Sequence, residues 1–131
     1  MTSLGSLKEL KGDAVVLEFW ATWCGPCVEG IPAMNKMVEA FKDRPVRFIS
    51  VSNENREKVE AFLQKHEMKA WIGIDNEAAS ERAFGVHGIP AIFVIDQYGR
   101  IWHNVSPSFF YKSDVEDAIN AKPPEASAPR S

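Results

Sequence analysis

Two kinds of hydrophobic patterning alternate along the chain. Residues 13–20, Asp-Ala-Val-Val-Leu-Glu-Phe-Trp, follow the turn signal Lys11-Gly12 as an apolar, β-rich run. They predict a buried strand with one charge inside it, Glu18. From Pro26 to about Lys42 the period changes, and Ile31, Met34, Met37, Val38 and Phe41 recur at helical spacing. Pro26 suits a first helical turn, where no amide hydrogen is needed, and Pro32 falls deeper, where it should bend the helix. Residues 46–51 alternate into a second strand. A helix capped by Asn53 or Asn55 should then run to about Lys65, with Val59, Phe62 and Leu63 on one face. Residues 71–74 predict a brief strand, and residues 78–84 a short helix stopped by Gly85. Residues 91–95 predict a strand, 96–99 a turn, and 100–105 the returning strand of a hairpin. Ser113 and Glu116 are spaced as a capping box for a last helix.

The order is strand, helix, strand, helix, short strand, helix, strand, strand, helix. It predicts an α/β fold: parallel βαβ units, then an antiparallel hairpin, forming a mixed sheet covered on both faces. The 131 residues, 45% hydrophobic and 25% charged, suit one domain whose core needs no covalent staple. That domain is expected over residues 1–121. Residues 122–131, ending Pro-Pro-Glu-Ala-Ser-Ala-Pro-Arg-Ser, read as a flexible, linker-like tail. The net charge of -3 is dispersed, so no basic patch speaks for nucleic acid. No stretch approaches a membrane span, and the first residues lack a secretory leader. Taken as whole, the chain would stay in the cytoplasm; the linker-like end points instead to a domain of a longer protein. Both readings stay open.

Candidate chemistry concentrates in residues 20–27, Trp-Ala-Thr-Trp-Cys-Gly-Pro-Cys, which hold the only two cysteines. A C-x-x-C beside a βαβ pattern is a redox signature. Cys24 should end the strand-to-helix loop, and Cys27 should lie in the first helical turn, so the sulfurs can meet without backbone distortion. The positive end of the helix favours thiolate, with a pKa of roughly 7 or below in such motifs. Cys24, nearer the loop, is expected to be the exposed attacker, and Cys27 to resolve the mixed disulfide. A structural zinc needs four ligands, and this motif supplies two. His66, His87 and His103 show no ligand spacing. No metal and no bound cofactor are expected.

These residues resemble the thioredoxin superfamily, and within it the TlpA/ResA-like branch of thiol–disulfide oxidoreductases. Trp20 to Cys27 is similar to the superfamily's active-site motif. The lead-in Leu7-Lys8-Glu9-Leu10-Lys11-Gly12, the phrase Ala21-Thr22-Trp23 and the segment 53–75, placed like a characteristic insertion, resemble the branch. The resemblance covers residues 6 to 120. It implies a thioredoxin fold with that α/β insertion, and a nucleophile and resolving thiol at Cys24 and Cys27. Gly88-Ile89-Pro90 resembles the cis-proline loop, where the residue before proline offers its backbone to an extended substrate. Substrate contact is therefore expected at Trp23, Gly25, Pro26, Ile89 and Pro90. Glu18 stands six residues before Cys24, where thioredoxins carry a buried acid, and would take a proton from Cys27.

The chain departs from the branch in two places. Gly30 stands where a Glu is usual, with Glu29 one step earlier, turned about 100° round the helix and expected to face water. Ala91 replaces the usual Thr after Pro90. Together with Gly25-Pro26, the thioredoxin dipeptide, these tilt the expectation towards general reduction of protein disulfides by a monomer fed by a donor thiol protein. An extracytoplasmic location is favoured over a cytoplasmic one. A thiol peroxidase would need a proline loop around the position of Leu17, which is absent. A disulfide-forming oxidant and a metal-carrying or partner-binding module remain as alternatives. Trp71, Trp102, Phe48, Phe62 and Phe93 read as core, residues 106–111 as aromatic packing over the hairpin, and His87 as a bystander. The sequon at Asn104 carries little weight beside Pro107.

Overall fold

In the computed structural model, which describes residues 2–3 and 12–124, a six-stranded mixed sheet organises the chain. Its strands are β1 (Thr2–Ser3), β2 (Ala14–Phe19), β3 (Val46–Ser52), β4 (Trp71–Ile74), β5 (Ala91–Ile95) and β6 (Ile101–Val105). They lie in the order β1-β4-β3-β2-β5-β6. Pairs β1/β4, β4/β3 and β3/β2 are parallel, whereas β2/β5 and β5/β6 are antiparallel. The predicted crossovers and hairpin thus appear in the predicted sequence. The lead-in at residues 7–11 and the tail at residues 125–131 lie outside the described residues.

β2 is central and nearly all buried, because its continuous apolar run feeds both faces of the sheet. Val16 joins Phe41, Val46, Phe48, Ile92, Val94 and Val115 on one face. Leu17 and Phe19 join Ile49, Val51 and Phe93 in a second cluster. Side chains alternate along a strand, so Glu18 shares a face with Val16.

The helix expected over residues 26–42 is split into α1 (Gly25–Glu29) and α2 (Ile31–Ala40). The bend expected from Pro32 is real but falls at Gly30, because a proline is tolerated in the first turn after a break and not before it. α3 (Arg56–Leu63) is capped by Asn55, whose side chain accepts from the Lys58 amide at 2.9 Å. α4 (Ala79–Phe84) stops at Gly85, which has φ +66°. α5 (Lys112–Ile119) starts one residue before the expected cap. The Asp114 carboxylate accepts from the Tyr111 amide at 2.8 Å, so Asp114 takes the place foreseen for Glu116, and Ser113 lies inside the first turn. Glu116 instead pairs side-on with Arg44, at 2.9 and 3.0 Å.

The hairpin turn is built on buried Asp96, which accepts from the amides of Tyr98 (2.8 Å) and Arg100 (3.0 Å). Two tryptophans expected in the core are at the surface: Trp71 is 41% exposed and Trp102 43%. Trp71 opens the short β4 under the Arg47 guanidinium, and Trp102 lies on the edge strand β6, donating its indole N–H to Asp96. Phe48 and Phe93 are core as expected, and Phe62 is half-buried. Of the three aromatic residues in 106–111, Phe110 packs inward, whereas Phe109 and Tyr111 are exposed.

Candidate functional site

The loop after β2 places the cysteines. The Trp20 amide donates to the Val51 carbonyl at 3.0 Å, extending the β2/β3 register by one residue. The Cys24 amide then donates to the Ala21 carbonyl at 3.2 Å, turning the chain into α1. Cys24 is the N-cap of that helix, and its Sγ accepts from the Cys27 amide at 3.2 Å. A sulfur at this position takes up an otherwise orphaned helix-end N–H, an arrangement that favours negative charge on it. Cys24 and Cys27 are joined as a disulfide with Cα atoms 5.2 Å apart. Pro26 occupies the first turn, as expected.

The structure corrects one expectation. Cys24 is as buried as Cys27, each 4% exposed. Trp20, Ala21, Val59 and Ile72 surround the pair, and the Ile89 carbonyl oxygen stands 4.0 Å from Cys24 Sγ. The oxidised sulfur has no proton, so this is a contact and not a hydrogen bond. What faces water is the rim: Gly25, Pro26 and, at 69% exposure, Trp23. The Ile89–Pro90 peptide is cis, and the Ile89 carbonyl is the atom of the proline loop that lies against Cys24. The buried indole N–H of Trp20, whose ring lies 5.3 Å from Phe62, has no partner among the described residues.

Glu18 is buried in β2, and the Ser50 hydroxyl donates to its Oε1 at 3.3 Å. Burial pushes its pKa up from 4.5 to about 7, against the lowering effect of that hydrogen bond. Glu18 opens onto a cavity of about 300 Å³ also lined by Pro26, Glu29, Gly30, Met34 and Phe110. The cavity joins Glu18 to Pro26 and Glu29 of α1, and neither cysteine lines it. Glu29 is exposed at the rim, as expected. His87 is exposed in a second groove, with Gly88, Pro90 and Phe93.

Sequence reasoning missed one group. Glu54 Oε1 accepts from the Thr22 amide at 2.8 Å and from the Ser52 hydroxyl at 2.9 Å, while Oε2 accepts from the Thr22 hydroxyl at 2.6 Å. Burial would raise the Glu54 pKa, but the hydrogen bonds from Thr22 and Ser52 and the charge of Lys58 hold it below the ordinary range. The available signal was Glu54 standing just past the end of a strand that is parallel to β2. Among the described residues no cluster of three metal-ligating side chains occurs, and no helix is long and apolar enough to cross a membrane.

A profile of the AhpC/TSA family matches residues 4–104. The chain is 34% identical over 96 residues to the thiol-disulfide oxidoreductase ResA of Bacillus anthracis, covering 72% of this chain and 56% of that protein. The ResA of Halalkalibacterium halodurans is 31% identical over 121 residues, covering 92% of this chain and 68% of that one. The chain therefore spans little more than half the length of some of the relatives it matches. Among solved structures, a thiol:disulfide interchange protein of the thioredoxin family from Chlorobium tepidum superposes with a TM-score of 0.71. It is 29% identical, with 86% of this chain and 83% of that one covered. The fold is thioredoxin-like.

Proposed function

The chain belongs to the AhpC/TSA family, and from that premise we propose that it is a thiol–disulfide oxidoreductase that reduces protein disulfides. The observation that carries this reading is the Cys24–Cys27 disulfide at the start of α1, with the Cys27 amide on Cys24 Sγ and the Ile89 carbonyl 4.0 Å away. Relatives named as thiol-disulfide oxidoreductases support it.

In the proposed cycle, the Cys24 thiolate attacks one sulfur of a substrate disulfide. A mixed disulfide forms and one substrate sulfur leaves as thiolate. Cys27 then loses its proton and attacks Cys24; the mixed disulfide breaks, the second substrate thiolate leaves, and the Cys24–Cys27 bond remains. Two electrons pass to the substrate, and its two thiolates take up protons. Glu18, buried and with a pKa of about 7, takes the Cys27 proton. Trp23, Gly25 and Pro26 form the rim that meets the substrate, and Ile89 and Pro90 align its backbone. Because the Cys24 sulfur is buried beneath that loop, the substrate must enter as an extended segment between the rim and residues 89–90.

A donor thiol protein restores the dithiol. We assign the domain to an extracytoplasmic setting, where protein disulfides persist and a reductant has targets. The deciding experiment equilibrates the protein with thiol buffers while tryptophan fluorescence reports redox state and mass spectrometry confirms it. A potential near or below about -250 mV supports a reductant, and one near about -120 mV makes the domain an oxidant. Absence of a two-electron transition overturns the exchange reading itself.

A further inference from the structure

The loop that presents Cys24 is tied to the far side of the site by one carboxylate. Glu54 lies between β3 and α3, and it grips both the amide and the hydroxyl of Thr22, at 2.8 and 2.6 Å. The grip is itself anchored: buried Ser52 donates to Glu54 Oε1 at 2.9 Å and accepts from the Glu54 amide at 3.0 Å. Thr22 is two residues before Cys24, inside the turn closed by the Cys24 amide on the Ala21 carbonyl. Ionised, Glu54 is an acceptor at both oxygens and matches the two donors of Thr22 and the one of Ser52.

We propose that Glu54 is a positioning residue for thiol–disulfide exchange: through Thr22 it holds the Ala21–Cys24 turn so that the two sulfurs remain in bonding register in the dithiol form as well as the disulfide. This rests on the redox reading above. Two thiols held in register close a disulfide at a high effective concentration, and a loosened turn lowers it. Glu54 touches neither sulfur, so its effect passes through the loop. The reaction it biases is Cys24–Cys27 disulfide plus two glutathione thiols giving the dithiol plus glutathione disulfide, with two electrons and two protons moving to the protein.

The test measures that equilibrium in glutathione buffers, with melting temperatures alongside, for the unaltered chain and three variants. Glu54→Ala is expected to shift the constant towards the dithiol by about tenfold. Glu54→Gln should remain within about twofold of the parent, because its oxygen accepts from Thr22 and Ser52 and its amide group donates to the Thr22 hydroxyl. Thr22→Ala, which removes one bond at the loop surface, should shift it by about threefold. A Glu54→Ala protein that melts lower yet keeps the parental constant overturns the proposal and leaves a structural tie. If Glu54→Ala does not fold, a Thr22→Ala protein at the parental constant overturns it equally. A parent with no two-electron transition instead defeats the redox reading, a separate and visible result.

Discussion

Glu18 and Ser50 are Cα partners across the parallel β2/β3 ladder, and the Ser50 hydroxyl donates to the Glu18 carboxylate at 3.3 Å. Both residues are buried. A single neutral donor does not replace the hydration that burial removes, and so the carboxyl keeps its proton to a pKa of about 7. The same strand position that brings Glu18 beneath the cysteine helix makes it a group that titrates near neutrality.

Stability should fall as pH rises because of this residue. Its folded pKa lies above the unfolded value, so the folded state binds the extra proton between about 4.5 and about 7. The contribution is fully present below about 4.5 and is lost as pH rises through about 7. Across that window the loss is about 3 kcal/mol. Glu18→Gln removes it. Urea unfolding at pH 5 and pH 8 should show the variant gaining on the parent by about that amount at the higher pH.

The two cysteines should separate by role. Cys27→Ser should accumulate a stable mixed disulfide with a disulfide-bonded peptide, visible as a mass adduct on Cys24. Cys24→Ser should form no adduct of comparable yield, since Cys27 is held on the buried side of α1 while Cys24 caps the helix and faces the proline loop.

Glu18→Gln should also slow resolution of that mixed disulfide by about 10²-fold at neutral pH, within the usual range for a positioned base. Rapid-quench mass spectrometry should show the adduct persisting in the variant. An unchanged decay rate would remove Glu18 from the proton path.

Asp96 should be costly to replace although it is far from the sulfurs. Burial would raise its pKa, but hydrogen bonds from Trp102, from the Arg100 and Tyr98 amides and from the Arg100 side chain hold it below the ordinary range. Asp96→Ala removes the buried acceptor shared by the Tyr98 and Arg100 amides and the Trp102 indole N–H, and should destabilise the domain by roughly 2–4 kcal/mol in denaturant melts. The redox equilibrium of the cysteine pair should not move.

Much of this molecule is readable from local pattern. The run 14–20 feeds a central strand because it is apolar apart from Glu18, as a strand covered on both faces requires. Gly85 ends α4 because glycine takes φ +66° freely. Cys24 and Cys27 meet because three residues at a helix start bring their side chains together. Glu29 faces water by its place on the helix. In each case the decisive neighbours are within a few residues.

Other features depended on partners distant in the chain. Trp71 and Trp102 are apolar enough for the core, but their strands lie towards or at the sheet edges, where one flank is open. Cys24 looked exposed from its place in a loop, and Ile89, 65 residues away, covers it. Glu54 is an unremarked acid in sequence until β3 pairs with β2 and delivers it to Thr22, 32 residues distant. The sequence by itself determined most of the elements, their order and the reactive pair, because periodicity, turn chemistry and a four-residue spacing are local; it did not foresee the short strand β1 or the split into α1 and α2. Only the tertiary structure decided which side chains cover, charge and brace that pair, because strand pairing and packing set those contacts between segments that carry no trace of each other.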